Sequence, residues 1–467
     1  MQINAEQLER QLEGRAKWFN SNCDGILNYA TGVGKSYTTN LCITELEKES
    51  QESYLILVPG AELEIQWNEK LVQYFPKNIL NRVLVKTVHK IISEGMQYEV
   101  GTLIVDELHE FHTEDRIKLI NNTKIKCKRF LGLTASADDK NFYKILRHRK
   151  IVDIITKAEA IDKGFIAQLI EYNLGLTLTK SEQETYDVLS ATISNLMPKF
   201  ENNLEYAQKV LNGGKDRNNQ YYSGAGWATA MAFKKGWKRD LNLTYPAHQQ
   251  INDLWNPSFF IGWANRLINA IRGRKNLLCN ANAKYNATLE IMNKYNKVKT
   301  IIFSESTDFA DKIGVILNNH KHPTVVYHSN LATKTITSPV SGKLIKYGKV
   351  RQKKEALSRI RLGQARVLAV TKALDRGLDI PDIRMSIVSS GSNSTTQNTQ
   401  RGGRAGRKEQ DEDEPVLLIN LYIVDTQDEI WLNNRQRNNT HECIVIDKVE
   451  DISYIPPSNA EFTINDI

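Results

Sequence analysis

The sequence predicts an α/β protein in which two parallel-sheet domains flank an insertion of different composition. Three observations lead to this prediction. Short apolar segments alternate with amphipathic ones in two separate series, which is typical of buried parallel strands joined by helices. The 467 residues are 41 % hydrophobic and 25 % charged, a composition typical of globular proteins. Between the two series lies a stretch rich in asparagine, tryptophan and basic residues.

The two series of candidate strands define the predicted domains. The first series comprises residues 25–29, 54–58, 83–87, 102–105, 130–133 and 151–155. The second comprises residues 300–303, 324–327, 366–370, 385–389 and 416–421. We therefore expect α/β domains at 1–157 and 287–425, a linker and insertion at 158–286 that includes a helix at 181–196, and an extension at 426–467.

The formal net charge of +8 is concentrated in the insertion. Residues 199–284 carry the whole excess, together with four of the seven tryptophans. Basic side chains neutralise phosphates and aromatic faces stack on unpaired bases, so this segment predicts nucleic-acid binding. The candidate residues are Lys234, Lys235, Lys238, Arg239, Arg272, Arg274 and Lys275. Alternatively, the tryptophans form the core of an accessory domain with a solvated basic rim; the two interpretations are compatible.

Several features bear on the cellular compartment. No run of eighteen apolar residues occurs, so no transmembrane helix and no membrane partner is expected. Residues 1–15 alternate in charge and do not resemble a secretory signal. The five cysteines never form a Cys-x-x-Cys pair, which argues against a disulfide framework or a structural zinc site. We expect a cytoplasmic protein; the Asn- and Lys-rich composition is compatible with a bacterial or phage source.

A candidate phosphate-binding loop follows the first strand and precedes a helix. Its residues are Thr31, Gly32, Val33, Gly34, Lys35 and Ser36. Glycines let backbone N–H groups surround phosphates, and the helix N-terminus favours anions. Lys35 would pair with the β- and γ-phosphates of ATP, and the Ser36 hydroxyl would ligate Mg²⁺. Tyr29 stands where the strict pattern has a small residue, and the alternative is a plain glycine-rich turn.

Asp106 and Glu107 follow the fourth candidate strand. Carboxylates at the C-terminal end of a parallel strand lie where α/β sheets bind ligands. Asp106 would hold Mg²⁺ through water, and Glu107 would orient or deprotonate the attacking water. A solvated Asp-Glu turn is the alternative, but the phosphate loop upstream favours an ATPase.

With His109, this second motif resembles the Asp-Glu-x-His form found in superfamily 2 helicases and translocases. Seven motifs of that family recur in order between residues 25 and 407. The resemblance implies two tandem RecA-like domains of the P-loop NTPase class that use ATP and Mg²⁺. It also implies nucleic-acid contacts by Pro59, Gln66, Thr87, Thr134, Ser304 and Thr371.

The family's fifth and sixth motifs imply further roles at the cleft. The fifth motif assigns ATP contacts to Gly377 and Asp379. In the sixth, which spans residues 400–407, the resemblance pairs Gln400 with His109 and brings Arg404 and Arg407 to the γ-phosphate. Gln7 or Gln11 would be the glutamine that hydrogen-bonds the adenine. Separately, residues 332–349 are expected to form a β-hairpin.

The resemblance implies an ATP-dependent DNA helicase or translocase, most like phage UvsW-type or bacterial RadD-type repair and recombination helicases. Its partners would be single-stranded, forked or branched DNA, together with replication or recombination proteins. Three alternatives remain open: an RNA helicase, the motor subunit of a restriction system, and a non-enzymatic DNA-binding protein. Intact Lys35, Asp106, Glu107 and Arg407 argue against the last.

Overall fold

A computed structural model of the chain divides into two compact units. One consists of Met1–Leu176 and Asn286–Ile467, and the other of Thr177–Tyr285. The structure describes residues 5–121, 123–135, 137, 141–216, 218–236, 255–337, 344–371, 380, 383–391, 415–437 and 443–456. The larger unit contains both predicted α/β domains, and each is built on its own parallel sheet.

The first sheet has six parallel strands in the order β3-β2-β4-β5-β1-β6. These strands are β1 (Asp24–Tyr29), β2 (Tyr54–Val58), β3 (Val83–Thr87), β4 (Tyr98–Val105), β5 (Ile125–Thr134) and β6 (Ile151–Ile155). The helices around them are α1 (Ala5–Asn20), α2 (Lys35–Glu49), α3 (Ala61–Tyr74), α4 (Lys77–Leu80), α5 (Val88–Glu94), α6 (Glu114–Ile120), α7 (Tyr143–Leu146) and α8 (Lys157–Asp162). Because parallel strands end at one edge, the loops after β1, β2, β4 and β5 share that edge.

The unit Thr177–Tyr285 is mainly helical. It contains α9 (Lys180–Leu196), α10 (Leu204–Asn212), the short strands β8 (Gly214–Lys215) and β9 (Tyr221–Tyr222), α11 (Gly224–Lys234) and α12 (Pro257–Cys279). A Thr179–Glu182 capping box begins α9, as its Thr-x-x-Glu sequence predicts. Phe200, Phe260 and Leu267 are fully buried in the core between the helices.

The second sheet has seven parallel strands in the order β11-β14-β10-β15-β16-β7-β17. Its strands are β7 (Leu169–Leu176), β10 (Thr300–Phe303), β11 (Thr324–Tyr327), β14 (Val367–Val370), β15 (Met385–Val388), β16 (Val416–Ile423) and β17 (Cys443–Ile446). The hairpin strands β12 (Lys334–Thr337) and β13 (Leu344–Tyr347) stand apart from it. The associated helices are α13 (Asn282–Lys294), α14 (Thr307–Asn319), α15 (Lys349–Arg361) and α16 (Gln427–Gln436).

The prediction of two tandem parallel-sheet domains is confirmed. The structure places two segments differently from the predicted domain boundaries. Strand β7, within the predicted insertion 158–286, pairs along its whole length with β16, so the helical unit begins only at Thr177. Strand β17, within the predicted extension, pairs with β7. Both strands join the sheet from sequence outside the second series, so they lack the local alternation with helices on which the boundaries were based.

The predicted hairpin at 332–349 contains antiparallel strands, with Thr335 opposite Lys346. Among the described residues, no helix is both long and apolar enough to cross a membrane.

Candidate nucleotide-binding site

The loop between β1 and α2 has the backbone geometry of a phosphate-binding loop. Gly32 and Gly34 both have φ of 97°, a left-handed conformation that favours glycine. Gly34 is also the N-cap of α2, and a Cβ there would lie 2.5 Å from the Gln11 side chain. The first N–H groups of α2 have no partners within the helix, so they are available to an anion. Lys35 reaches back to the loop, with Nζ 3.3 Å from the carbonyl oxygen of Tyr29.

Two glutamines on α1 contact this loop. The side-chain amides of Gln7 and Gln11 both donate to the carbonyl oxygen of Val33, at 2.9 and 2.7 Å. The Oε1 atom of Gln11 is buried and accepts no hydrogen bond from a described residue. A buried acceptor without a donor costs free energy unless a ligand supplies the donor, and an exocyclic amino group such as that of adenine is one.

Tyr29, the departure from the strict loop pattern, is buried away from the loop. Its hydroxyl donates to Asp153 on β6 at 2.8 Å. Arg10 on α1 makes a bidentate pair with the same carboxylate, at 2.6 and 3.1 Å, and Lys17 donates at 2.6 Å. A Cβ on Gly14 would lie 1.7 Å from the Tyr29 hydroxyl, so the two residues are sterically matched. This network anchors α1, which carries Gln7 and Gln11, to the strand that ends at the loop.

Burial and hydrogen bonding act in opposite directions on Asp153. Burial alone would raise the pKa of its carboxyl, but the hydrogen bonds from Arg10, Lys17 and Tyr29 outweigh burial and hold that pKa below its usual value. The carboxylate is therefore ionised at neutral pH, as the bidentate pair requires.

Asp106 lies at the C-terminal end of β4, with both carboxylate oxygens hydrogen-bonded. The backbone N–H of Glu107 donates to Oδ1, and the indole N–H of Trp67 donates to Oδ2, each at 2.9 Å. Burial and the neighbouring Glu107 carboxylate raise the pKa of Asp106, while Trp67 and the charge of Lys35 oppose the rise. Because β1 and β4 are parallel strands of one sheet, the loop that carries Lys35 and the carboxylate of Asp106 lie at the same edge of that sheet.

Glu107 adopts an unusual backbone conformation for a non-glycine residue, with φ 48° and ψ 50°. Its Oε2 is buried and accepts no hydrogen bond from a described residue; the Nδ1 atom of His109 is 3.4 Å away. His109 also approaches Thr134 at the end of β5, with 3.3 Å between Nδ1 and the hydroxyl oxygen. An unsatisfied carboxylate oxygen in the cleft can accept a hydrogen bond from water, as a general base requires.

The residues fit ATP and Mg²⁺: the loop offers N–H groups and Lys35 to phosphates, and Ser36 and Asp106 offer oxygen ligands for the ion. Thr31, Gly32, Gly34, Lys35 and Ser36 are half-buried, whereas Val33 is fully buried.

The sequence analysis does not predict the hydrogen bond from Trp67 to Asp106. Its signal is the spacing of Leu63, Trp67 and Leu71 on α3, which places all three on the buried face.

The predicted nucleic-acid contacts are placed at the strand ends of both sheets. Pro59, Thr87 and Thr134 follow or end strands of the first sheet, while Ser304 and Thr371 follow β10 and β14. All five are buried, as is Gln66 on α3. The side chain of Thr87 caps α5 by accepting from the backbone of Lys90. At these positions the side chains are buried in the protein, so a contact with a nucleic-acid strand would depend on backbone groups or on a conformational change.

The predicted residues Gly377, Asp379, Gln400, Arg404 and Arg407 lie outside the described residues, as do Lys238 and Arg239.

In the helical unit, the described tryptophans pack against the core. Trp255 and Trp263 lie 5.9 Å apart, and the ammonium group of Lys199 sits over Trp263 at 4.4 Å. Lys209 covers Trp227 at 4.7 Å. Their ring faces are therefore occupied rather than offered to bases.

The predicted basic residues of this unit fall into different environments. Lys234 is exposed and pairs with Glu201 at 2.6 Å, while Lys235 lies 5.6 Å from the Trp255 ring centroid. Arg272 is exposed, whereas Arg274 and Lys275 are half-buried. Arg274 lies 6.0 Å from the Tyr186 ring.

The fold and the site together define a P-loop NTPase of two tandem RecA-like domains. Comparisons with known proteins refine this class. Residues 1–139 match the family described as the res subunit of type III restriction enzymes, and residues 283–409 match the helicase conserved C-terminal domain. The two matched segments lie one in each of the two parallel-sheet domains.

The chain is also similar to individual proteins along most of its length. The chain is 23 % identical over 453 residues to the DNA 3'-5' translocase XPB2 of Sulfurisphaera tokodaii, covering 92 % of this chain and 84 % of that protein. The Pyrococcus furiosus Hef helicase domain has a similar structure, with a TM-score of 0.51 at 16 % identity, covering 92 % of this chain and 99 % of that one. Dbp5 of S. cerevisiae, solved with RNA and ADP BeF3, gives a TM-score of 0.55 at 12 % identity, with coverages of 94 % and 89 %. These structural likenesses concern the fold.

Proposed function

We propose that this chain is an ATP-dependent DNA translocase or helicase. The observation that carries the proposal is the convergence of Lys35, Asp106 and Glu107 at one edge of the first sheet, in a chain that continues into a second RecA-like domain. The relative named as a DNA 3'-5' translocase supports DNA as the substrate and 3'-to-5' as the direction of movement.

The proposed mechanism assigns each residue a task. The loop N–H groups and Lys35 bind the phosphates, and Gln11 accepts a hydrogen bond from the adenine. Ser36 and Asp106 would hold Mg²⁺, which neutralises phosphate charge when bound. Glu107 takes a proton from the attacking water. Trp67 keeps the Asp106 carboxylate in one orientation.

The second domain would complete the site. Arg404 and Arg407 stabilise negative charge that develops on the γ-phosphate, Gly377 and Asp379 contact the nucleotide, and Gln400 pairs with His109. The contact between His109 and Thr134 extends this chain of contacts to the end of β5, where a bound strand would lie. Closure and opening of the two domains with each ATP would then move the chain along DNA.

We further propose that the substrates are forked or branched DNA in replication, recombination or repair, as in UvsW-type and RadD-type helicases. The corresponding compartment is the cytoplasm of a bacterial or phage-infected cell. A second candidate is the motor subunit of a restriction system, which the description of the matched family favours. A separate nuclease partner, recovered with the chain from its source cells, would support this second candidate.

The test is ATP turnover with single-stranded, duplex and forked DNA, with RNA, and without nucleic acid. Turnover should rise with DNA; equal turnover without any nucleic acid would contradict the translocase, and stimulation by RNA alone would favour an RNA helicase. Glu107→Gln should lower kcat by about 10²- to 10⁴-fold. Lys35→Ala should abolish turnover because it removes the cationic side chain that binds the β- and γ-phosphates. Arg407→Ala should still bind ATP but hydrolyse it about 10³- to 10⁵-fold more slowly.

A further inference from the structure

Helix α12 of the helical unit carries basic but no acidic side chains. Its 23 residues include four arginines and lysines and no aspartate or glutamate. One side of the helix is buried in the core through Phe260, Ala264 and Leu267. The acidic residues described in this unit lie on α9, on α10 and in turns, so the charge of α12 is not balanced within the helix.

The opposite side of α12 is an exposed polar face. It consists of Gly262, Asn265, Arg266, Asn269, Arg272 and Asn276. Spacings of three and four residues place them on one side of a helix, with Asn269 central and the two arginines about one turn before and after it. At 1.5 Å per residue the face is about 21 Å long. A Cβ on Gly262 would meet nothing within 4 Å, so the surface is open there.

The two arginines of this face differ from Lys199, Lys209 and Lys234 elsewhere in the unit. Arg266 and Arg272 are exposed and make no ion pair or hydrogen bond with any described residue. By contrast, Lys234 pairs with Glu201 and Lys209 with Glu205. Lys199 and Lys209 also cover tryptophan rings. Packing and ion pairing therefore account for these lysines but not for the arginine face.

We propose that this α12 face binds the phosphodiester backbone of duplex DNA. Guanidinium and amide N–H groups are the usual donors to phosphate oxygens, and the face carries no acidic side chain to repel them. The face from Gly262 to Asn276 contains no aromatic side chain, although the exposed ring of Phe259 lies one turn before it, so the proposed contacts are to phosphates rather than to bases. The proposal rests on DNA being the substrate of the motor and places one of its contacts.

The experiment compares two double variants of the full chain that remove equal charge. Arg266→Gln with Arg272→Gln alters the α12 face, and Lys234→Gln with Lys235→Gln alters two lysines already engaged elsewhere. Binding to a short duplex is measured by fluorescence anisotropy at several salt concentrations. The arginine variant should reduce the log–log salt slope by about 1.8, since each duplex phosphate contact contributes about 0.9. The lysine variant should keep the wild-type slope.

Three results would overturn the proposal: an unchanged slope in the arginine variant, an equal change in both variants, or a loss confined to single-stranded DNA. Exposed, unpaired arginines should be replaceable within about 0.5 kcal/mol of stability. If the arginine double variant nevertheless unfolds, Arg266→Gln and Arg272→Gln should each lower the log–log salt slope by about 0.9 when tested singly. If DNA does not stimulate ATP turnover by the wild-type protein, the proposed function is refuted. The salt slopes of DNA binding would still test the α12 face.

Discussion

Replacing Trp67 with phenylalanine tests whether its indole N–H sets the geometry of the proposed magnesium site. The substitution keeps a buried aromatic ring but removes the 2.9 Å hydrogen bond to Asp106. A hydrogen bond to a charged group is worth about 1.5 to 3 kcal/mol. If that energy holds the carboxylate in its productive orientation, kcat/KM for Mg·ATP should fall by about 10- to 100-fold, because 1.4 kcal/mol corresponds to a factor of ten.

The assay follows ATP turnover and the binding of a fluorescent, non-hydrolysable ATP analogue as functions of Mg²⁺ concentration. The Trp67→Phe variant should need more Mg²⁺ for half-maximal binding, while its binding of the analogue without Mg²⁺ should change little. This difference separates an effect on Asp106 from a general loss of the nucleotide site.

Trp18→Phe is the matched control. Trp18 is fully buried in the same domain, and its indole N–H donates at 2.9 Å to the backbone carbonyl of Phe130 rather than to a site residue. Its substitution should lower the melting temperature but leave the Mg²⁺ dependence unchanged. Equal Mg²⁺ dependence in the two variants would refute the role assigned to Trp67.

Two further predictions concern the network that anchors α1. Asp153→Asn removes the bidentate carboxylate partner of buried Arg10, which keeps its ion pair with Glu159, so the free energy of unfolding should fall by about 1.5 to 3 kcal/mol at neutral pH. Because the folded-state pKa of Asp153 is lowered, this stabilisation is present above about pH 4 and lost as the pH falls through the folded pKa. Urea denaturation should show the two proteins converging in acid. Gly14→Ala should cost about 1 to 3 kcal/mol through its clash with the Tyr29 hydroxyl, and adding Tyr29→Phe should recover part of that loss in thermal melts.

If the free energies of unfolding of wild type and Asp153→Asn differ by a constant amount down to pH 2, the charge of the Asp153 carboxylate is not the source of the stability. Strictly additive effects of the Gly14 and Tyr29 substitutions would show that the two side chains do not meet, since residues in contact give coupled energies.

Local sequence was sufficient for most strands of the two parallel sheets, though not for β7 and β17, and for the nucleotide loop. Strands 54–58, 83–87, 151–155, 300–303 and 324–327 have the bounds that their apolar runs predict. Burial on both faces demands such runs, and a glycine-rich turn between strand and helix is itself local. The placement of Lys35 and Asp106 at the same edge of the first sheet also follows, because parallel strands bring their C-terminal ends to one edge.

Contacts between distant residues were decided only by the tertiary structure. The interpretation of Gln66 as a nucleic-acid contact did not reveal that the neighbouring Trp67 donates a hydrogen bond to Asp106, because the partner lies 39 residues away. Tyr29 departs from the strict loop pattern, and only the tertiary structure shows that Gly14 and Asp153 lie around its hydroxyl.

The charge of the insertion shows the same division. The sequence by itself determined that the excess of +8 lies in residues 199–284. Folding decided which of these cations are neutralised by neighbours, as Lys234 is by Glu201, and which face solvent, as Arg266 and Arg272 do. The physical reason is that composition counts charges, whereas binding depends on their geometry. A charge contributes to a surface only when packing leaves it exposed and without a counter-ion.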